Sequence, residues 1–174
     1  MIRCPSHIVD CLKKRGVELI ASASSYQNGH EPEKALAPTE YFFSGNSPDQ
    51  WWKVDLKHNV SAHSYYIKRR DECSWVSKWN ISVSFDDINW HFISSVDDGY
   101  RENKVYYFEQ GLVNFRYLRI YGSTPECNDT YFYAFTEISI YGYLNAYHPK
   151  LAFCSFSPSS KPNLNILFIF IVKK

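Results

Sequence analysis

Long apolar runs are missing from this 174-residue sequence: the longest, Ile166 to Val172, spans seven residues, where a membrane-spanning helix needs about 20. No transmembrane segment is expected. The start, MIRCPSHIVDCLKKRG, also lacks the unbroken apolar core of a secretory signal, so an intracellular, cytoplasmic location is the expectation. Cysteine is sparse and without pattern. The five, Cys4, Cys11, Cys73, Cys127 and Cys154, are odd in number and show neither CxxC nor Cys/His spacing, which supports neither a disulfide framework nor a zinc site. Reduced thiols follow, and the sequons at Asn80 and Asn128 are then expected to stay unmodified.

A dominant charge is missing too. Nineteen basic residues against eighteen acidic ones leave +1, too little for a long-range field that would gather nucleic acid or an anionic membrane. Catalytic signatures are equally scarce: there is no HExxH, no GxSxG and no phosphate-binding loop. Glu31, Glu33 and Asp49 could pair as carboxylates, but nothing in the sequence positions them. A non-catalytic chain is expected.

What is abundant is aromatic. Fourteen Tyr, twelve Phe and five Trp against a single Met favour pleated, half-buried surfaces over helices, hence an all-β fold. The length suits one domain with short additions. Residues 7 to 15 form the one clear helix, with Ser6 as N-cap, Ile8, Val9 and Leu12 on one face, Lys13, Lys14 and Arg15 in the last turn and Gly16 ending it in the left-handed conformation. Residues 1–16 read as a leader.

VELIASASS (17–25) opens the domain as a strand. Residues 26 to 50 then carry most of the turn chemistry, Asn28-Gly29, Pro32, Pro38, Gly45 and Pro48, with one helical turn expected at EPEKAL. Strands follow from Trp51 at short intervals: a first run through Leu56, then 61–68, 78–85, 89–94, 104–109, 115–121 and 134–143, with turns at Asp86-Asp87, Asp97-Asp98-Gly99 and Gln110-Gly111. That spacing predicts a sandwich or jelly roll over 17–144. The remainder, 145–174, is a tail that either stays disordered or adds a strand.

Six segments then recur in a known order: ASASSYQNGHEPEKAL (21–36), DQWWKVDLK (49–57), YYIK (65–68), KWNISVSFDDINW (78–90), FRYLRIYG (115–122) and FTEISIYG (135–142). With them the sequence resembles the discoidin family, also called coagulation-factor type C domains, across about residues 17 to 143. The resemblance implies an antiparallel β-sandwich of jelly-roll type with the galactose-binding-like fold, which meets ligands through loops at one end and does no chemistry itself. The core expected between its sheets includes Val54, Leu56, Ile67, Trp79, Ile81, Val83, Trp90, Leu118, Ile120, Ile138 and Ile140.

The adjacent tryptophans divide two rules. Alternation puts Trp52 with Val54 and Leu56 on one face and Trp51 with Lys53 on the other, whereas the family's strand opens with a single tryptophan that matches Trp51. Burial of Trp51 near the loop end, with Trp52 also covered, is the expectation.

By the resemblance the binding loops are 26–32, 39–49 and 69–77, flanked by 123–133. They hold Tyr41, Phe42, Phe43 and Trp75, aromatic faces suited to sugar rings, beside Asn28, His30, Arg69, Arg70 and Glu72, which can bond hydroxyls. The expected contacts are Asn28, His30, Tyr41, Phe42, Arg69, Arg70, Glu72 and Trp75. Carbohydrate or a related polar ligand is the first expectation; the alternative is an intracellular protein-binding adaptor of the kind joined to BTB-type domains. Some members of the family hold calcium beneath the loops. Glu137 matches their acidic position in the last strand, but Ala37 stands where an Asp often follows Ala-Leu, so calcium gains no support here. The first loop tip, Asn28-Gly29, is polar, which also speaks against membrane-surface binding.

Overall fold

The computed structural model describes residues 2–4, 7–69, 78–97, 103–122 and 132–145. In chain order the elements are β1 (Ile2–Arg3), α1 (Ile8–Lys14), β2 (Ile20–Ala23), a 3-10 turn (Pro32–Leu36), β3 (Phe42–Phe43), β4 (Trp51–Arg69), β5 (Lys78–Ser84), β6 (His91–Asp97), β7 (Val105–Tyr107), β8 (Val113–Gly122) and β9 (Ala134–Leu144). The path β1-β9-β4-β8-β5-β6, with β2, β3 and β7 attached at its sides, joins all nine strands in one hydrogen-bonded sheet. Every pair runs antiparallel. Among the described residues no helix is long and apolar enough to cross a membrane.

One strand turns this sheet into two layers. Residues Trp51 to Asp55 of β4 pair with β8 and β2; after the break Val60 to Ala62 still pair with β8, while Val60 to Arg69 pair with β9 and Ser64 to Tyr66 with β7. Between them the register slips, Lys57 takes a positive φ of 60°, and its N–H donates to the Asp55 carboxylate at 2.8 Å. An irregularity of this kind bends a strand. The sequence pattern divides the segment into two strands; the chain instead runs through as one folded strand, because both halves find partners.

The core lies between the layers. Trp52, Val54 and Leu56 face inward, as alternation predicts, and meet Ile67, Trp79, Ile81, Val83, Leu118, Ile120, Ile138 and Ile140, all buried. Trp79 on β5 reaches across to β4, donating its indole N–H to the Tyr65 hydroxyl at 2.9 Å and meeting Tyr106 edge-on at 5.0 Å. A buried indole needs such a partner. Burial also pushes the Tyr65 phenol above its usual range.

Trp90 departs from the expected core. It belongs to the turn before β6, is half-buried, and lies beneath the Arg119 guanidinium 4.2 Å from its ring centroid, with its indole N–H toward the Asp87 carbonyl at 3.3 Å.

The leading residues are part of this body. α1 is capped by His7, not Ser6: the His7 Nδ1 accepts the Asp10 N–H at 3.2 Å. Gly16 closes the helix with φ 76°. Ile8, Val9, Cys11 and Leu12 are buried in the same hydrophobic cluster as the sandwich, α1 packs on β9, and β1 pairs with β9 through Ile2 and Leu144. Cys4 and Cys11 are buried free thiols, and burial together with the Cys11 thiol pushes Cys4 up to about 12. Asn80 lies in β5, and its amide oxygen accepts the Ser95 hydroxyl.

Candidate functional site at the loop end

At the end of the sandwich where β3, the start of β4 and the start of β9 meet, three loop segments are tied together by backbone. The first, 24–31, is bound to β3: Gln27 N–H donates to the Phe43 carbonyl at 2.9 Å, and Phe43 N–H to the His30 carbonyl at 3.3 Å. The second joins the third through Ser44, whose N–H donates to the Tyr133 carbonyl and whose hydroxyl accepts the Tyr133 N–H, both at 2.8 Å. β3 exists because of these partners. Two residues alone would not hold a strand, but Phe42 pairs with Phe135 and Phe43 with Ala134.

This arrangement sorts the two phenylalanines. Phe42, expected at the ligand, is instead a core residue, 1% exposed and packed against Phe135 at 5.3 Å. Alternation then turns Phe43 toward the loops. There it stacks on Phe132 at 5.0 Å and 28°, and meets His30 edge-on at 6.1 Å. His30 stacks in turn on Tyr41, 4.1 Å between centroids at 26°, and the Tyr41 hydroxyl bonds His30 Nε2 at 3.1 Å. All four rings are half-buried. Asn28 is exposed at the neighbouring tip, where Gly29 adopts φ 85° and donates its N–H to the Glu31 carboxylate at 3.0 Å; the Glu31 pKa is lowered, chiefly by backbone N–H groups.

Beneath the cluster sits a polar hub the sequence did not reveal. Gln50 is 2% exposed; its side-chain oxygen accepts the Ser24 and Ser25 hydroxyls at 2.8 and 2.7 Å, and its amide nitrogen donates to the Ser47 carbonyl at 2.8 Å. Gly45 donates its N–H to the Ser25 hydroxyl, and a Cβ there would come within 2.6 Å of that same oxygen. A buried amide satisfied on both ends fixes several loops at once.

The tryptophan question resolves by alternation. Trp52 is 1% exposed, meets Phe135 edge-on at 5.4 Å and donates its indole N–H to the Pro32 carbonyl at 2.9 Å. Trp51 is not the core anchor: it is half-buried on the outer face, with the Lys53 ammonium 5.6 Å from its ring centroid. A cavity of about 10 Å³, room for one water at most, lies between Gln50, both tryptophans, Gly122 and Tyr133.

Of the remaining expected contacts, Arg69 ends β4 opposite Phe135, and Arg70, Glu72 and Trp75 lie outside the described residues. The structure therefore brings together Asn28, His30 and Tyr41, and adds Phe43 and Phe132. Adjacency to Phe42 was the sequence signal for Phe43; Phe132 left none.

The residues do not fit calcium. One Glu137 oxygen accepts the Ser139 hydroxyl at 2.8 Å, Ala37 offers no side-chain oxygen, and the Leu36 carbonyl is taken by the Lys13 ammonium. Among the described residues no group of three or more His, Cys, Asp or Glu could hold a metal ion.

Comparison with known proteins agrees with this architecture. Chitosan-binding module 1 of a chitosanase/glucanase from Paenibacillus sp. IK-5 superposes with a TM-score of 0.64 at 21% identity, covering 79% of this chain and 98% of its own. Module 2 of the same enzyme, in complex with chitotriose, gives 0.62 at 22% identity, with 71% and 95% covered. The family 32 carbohydrate-binding module of Clostridium perfringens NanJ, in complex with galactose, gives 0.63 at 14% identity, with 78% and 98% covered. A search of curated proteins finds no match. The F5/8 type C domain model matches residues 20–137, more than half of the sequence, and the chain belongs to that family.

Proposed function

We propose that this domain is a non-catalytic carbohydrate-binding module whose loop end receives a sugar through His30, Tyr41, Phe43 and Phe132. The observation that carries the reading is the ring cluster itself. Two stacked pairs, His30 with Tyr41 and Phe43 with Phe132, stand half-buried at the end where the loops converge. Sugar rings present apolar C–H faces that suit aromatic walls, while an imidazole and a phenol hydroxyl supply the few oriented polar contacts that such sites use. Asn28 at the adjacent tip adds an amide. Arg69, Arg70, Glu72 and Trp75 belong to the same proposal by their place in the sequence.

The matched structures support the same class, since their modules bind chitosan, chitotriose or galactose. A protein-binding adaptor gains no support from them. The test is a titration of isotope-labelled full chain with galactose and with chitotriose, followed by amide shifts. Saturable shifts centred on residues 27–31 and 41–44 are the expected outcome, and Trp75→Ala should weaken them without lowering the melt. A broad glycan array that stays blank with folded protein would overturn the reading.

A further inference from the structure

The 3-10 turn Pro32–Leu36 leaves its last carbonyls without partners inside the turn, as any helical C-terminus does. Such carbonyls carry partial negative charge and favour a cation nearby. At Leu36 that cation is an ammonium from a different element: Lys13, in the last turn of α1, donates to the Leu36 carbonyl across 23 positions of sequence. Both α1 and the turn pack on β9, so the side chain bridges two elements laid beside each other. Lys13, Leu36, Pro38, His7 and Glu137 line one cleft of about 130 Å³.

We propose that Lys13 supplies, from within the chain, the positive charge that a bound metal ion would otherwise bring to this turn, so that the domain holds its loop end without calcium and depends on α1 instead. A compact –NH₃⁺ group is a point charge with three donors, so a carbonyl and at most two further acceptors satisfy it, whereas calcium requires six or more oxygen ligands. Burial lowers the Lys13 pKa, which fits an ammonium partly withdrawn from water to meet the turn. α1 is then a working part of the domain, whichever ligand the loops bind.

The test uses the full chain, melted in calcium and again in chelator, together with calorimetric titration of calcium chloride. Wild type should melt at one temperature in both buffers and give no saturable heat. Lys13→Met should melt several degrees lower in both, with faster hydrogen exchange at the Ala37, Thr39 and Glu40 amides, and Lys13→Arg should recover most of the loss. A wild-type melt that rises with calcium, saturable calcium heat, or a Lys13→Met protein that melts and exchanges like wild type would each overturn the idea. If Lys13→Met does not fold, the wild-type calcium titration and the exchange rates of Lys13→Arg still decide it.

Discussion

The two ends of the sandwich are built from different materials. At the far end, polar groups are consumed by their own turns. The Asp86 carboxylate accepts the Ile88 and Asn89 N–H groups at 2.9 and 2.8 Å, the Asn89 side-chain amide at 2.7 Å and the Ser84 hydroxyl at 3.0 Å. Asp87 holds the Lys53 ammonium at 2.6 Å, and Asp55 is gripped by both arms of Arg116 at 2.8 and 2.9 Å. At the loop end a half-buried cluster of rings stands beside the polar Asn28-Gly29 tip, and its order comes from backbone bridges above a buried floor of Trp52, Phe42 and Phe135. A far-end carboxylate already engaged on every side has little left for a ligand; a wall of half-buried rings has much. The difference teaches that turns locked by charge serve shape, while turns propped from below can serve recognition.

The largest effect should come from removing the floor. Trp52→Ala deletes a fully buried indole and its bond to Pro32, and is expected to cost about 3–5 kcal/mol, read by urea unfolding. Trp51→Ala, half-buried beside Lys53, should cost less than half as much. Equal losses would show that the loop end does not rest on the inner tryptophan.

Next comes the far end's main ion pair. Asp55→Ala strands Arg116 and frees the Lys57 N–H, an expected loss of about 2 kcal/mol. Acid sharpens this. Burial by itself would raise the Asp55 pKa, but the Arg116 guanidinium and the Lys57 N–H and ammonium overcome it and hold the carboxyl at about 2. A depressed carboxyl contributes fully above its ordinary value and loses that contribution as pH falls toward the folded one. The gap between wild type and Asp55→Ala should therefore close on acidification below about pH 3.8, and a gap that persists would refute the assignment. Asp86→Ala should be smaller still in global stability, its effect showing as faster exchange at the Ile88 and Asn89 amides.

Much of this was legible because it is local. The alternation of Trp52, Val54 and Leu56 marks a buried strand face, the FDDINW turn declares itself by Asp and Asn, and Gly16 announces a helix end. What was not legible depends on remote partners. Nothing near Phe42-Phe43 says strand, since its pairing lies on β9 some 90 residues later. Nothing around Lys57 says that β4 continues, because a positive φ there is stabilised by Asp55 and by two flanking strands. The His7 cap displaces the expected Ser6 through a ring nitrogen that propensity rules do not rank. Of the candidate cluster, the loops and His30 and Tyr41 are singled out by the sequence, whereas Gln50 and Phe132 take their places beside them only once the loops converge.

The smallest change to stability should also be the most telling about recognition. Tyr41→Phe keeps the stack on His30 and removes only the hydroxyl that bonds Nε2 at 3.1 Å. A single partly solvated hydrogen bond contributes about 1 kcal/mol or less, so the melt should scarcely move. The imidazole, however, loses the partner that fixes which nitrogen faces outward, and a ligand hydroxyl would then meet a ring free to turn. If the cluster binds sugar, affinity should fall by up to about tenfold, the equivalent of roughly 1.4 kcal/mol, while Asp86→Ala at the opposite end leaves affinity untouched. Equal losses from the two variants would mean that binding follows general stability and that the two ends do not differ in function. An unchanged affinity in Tyr41→Phe alongside a loss in Tyr41→Ala would assign the work to the ring face, with the hydroxyl serving only the shape of the loop.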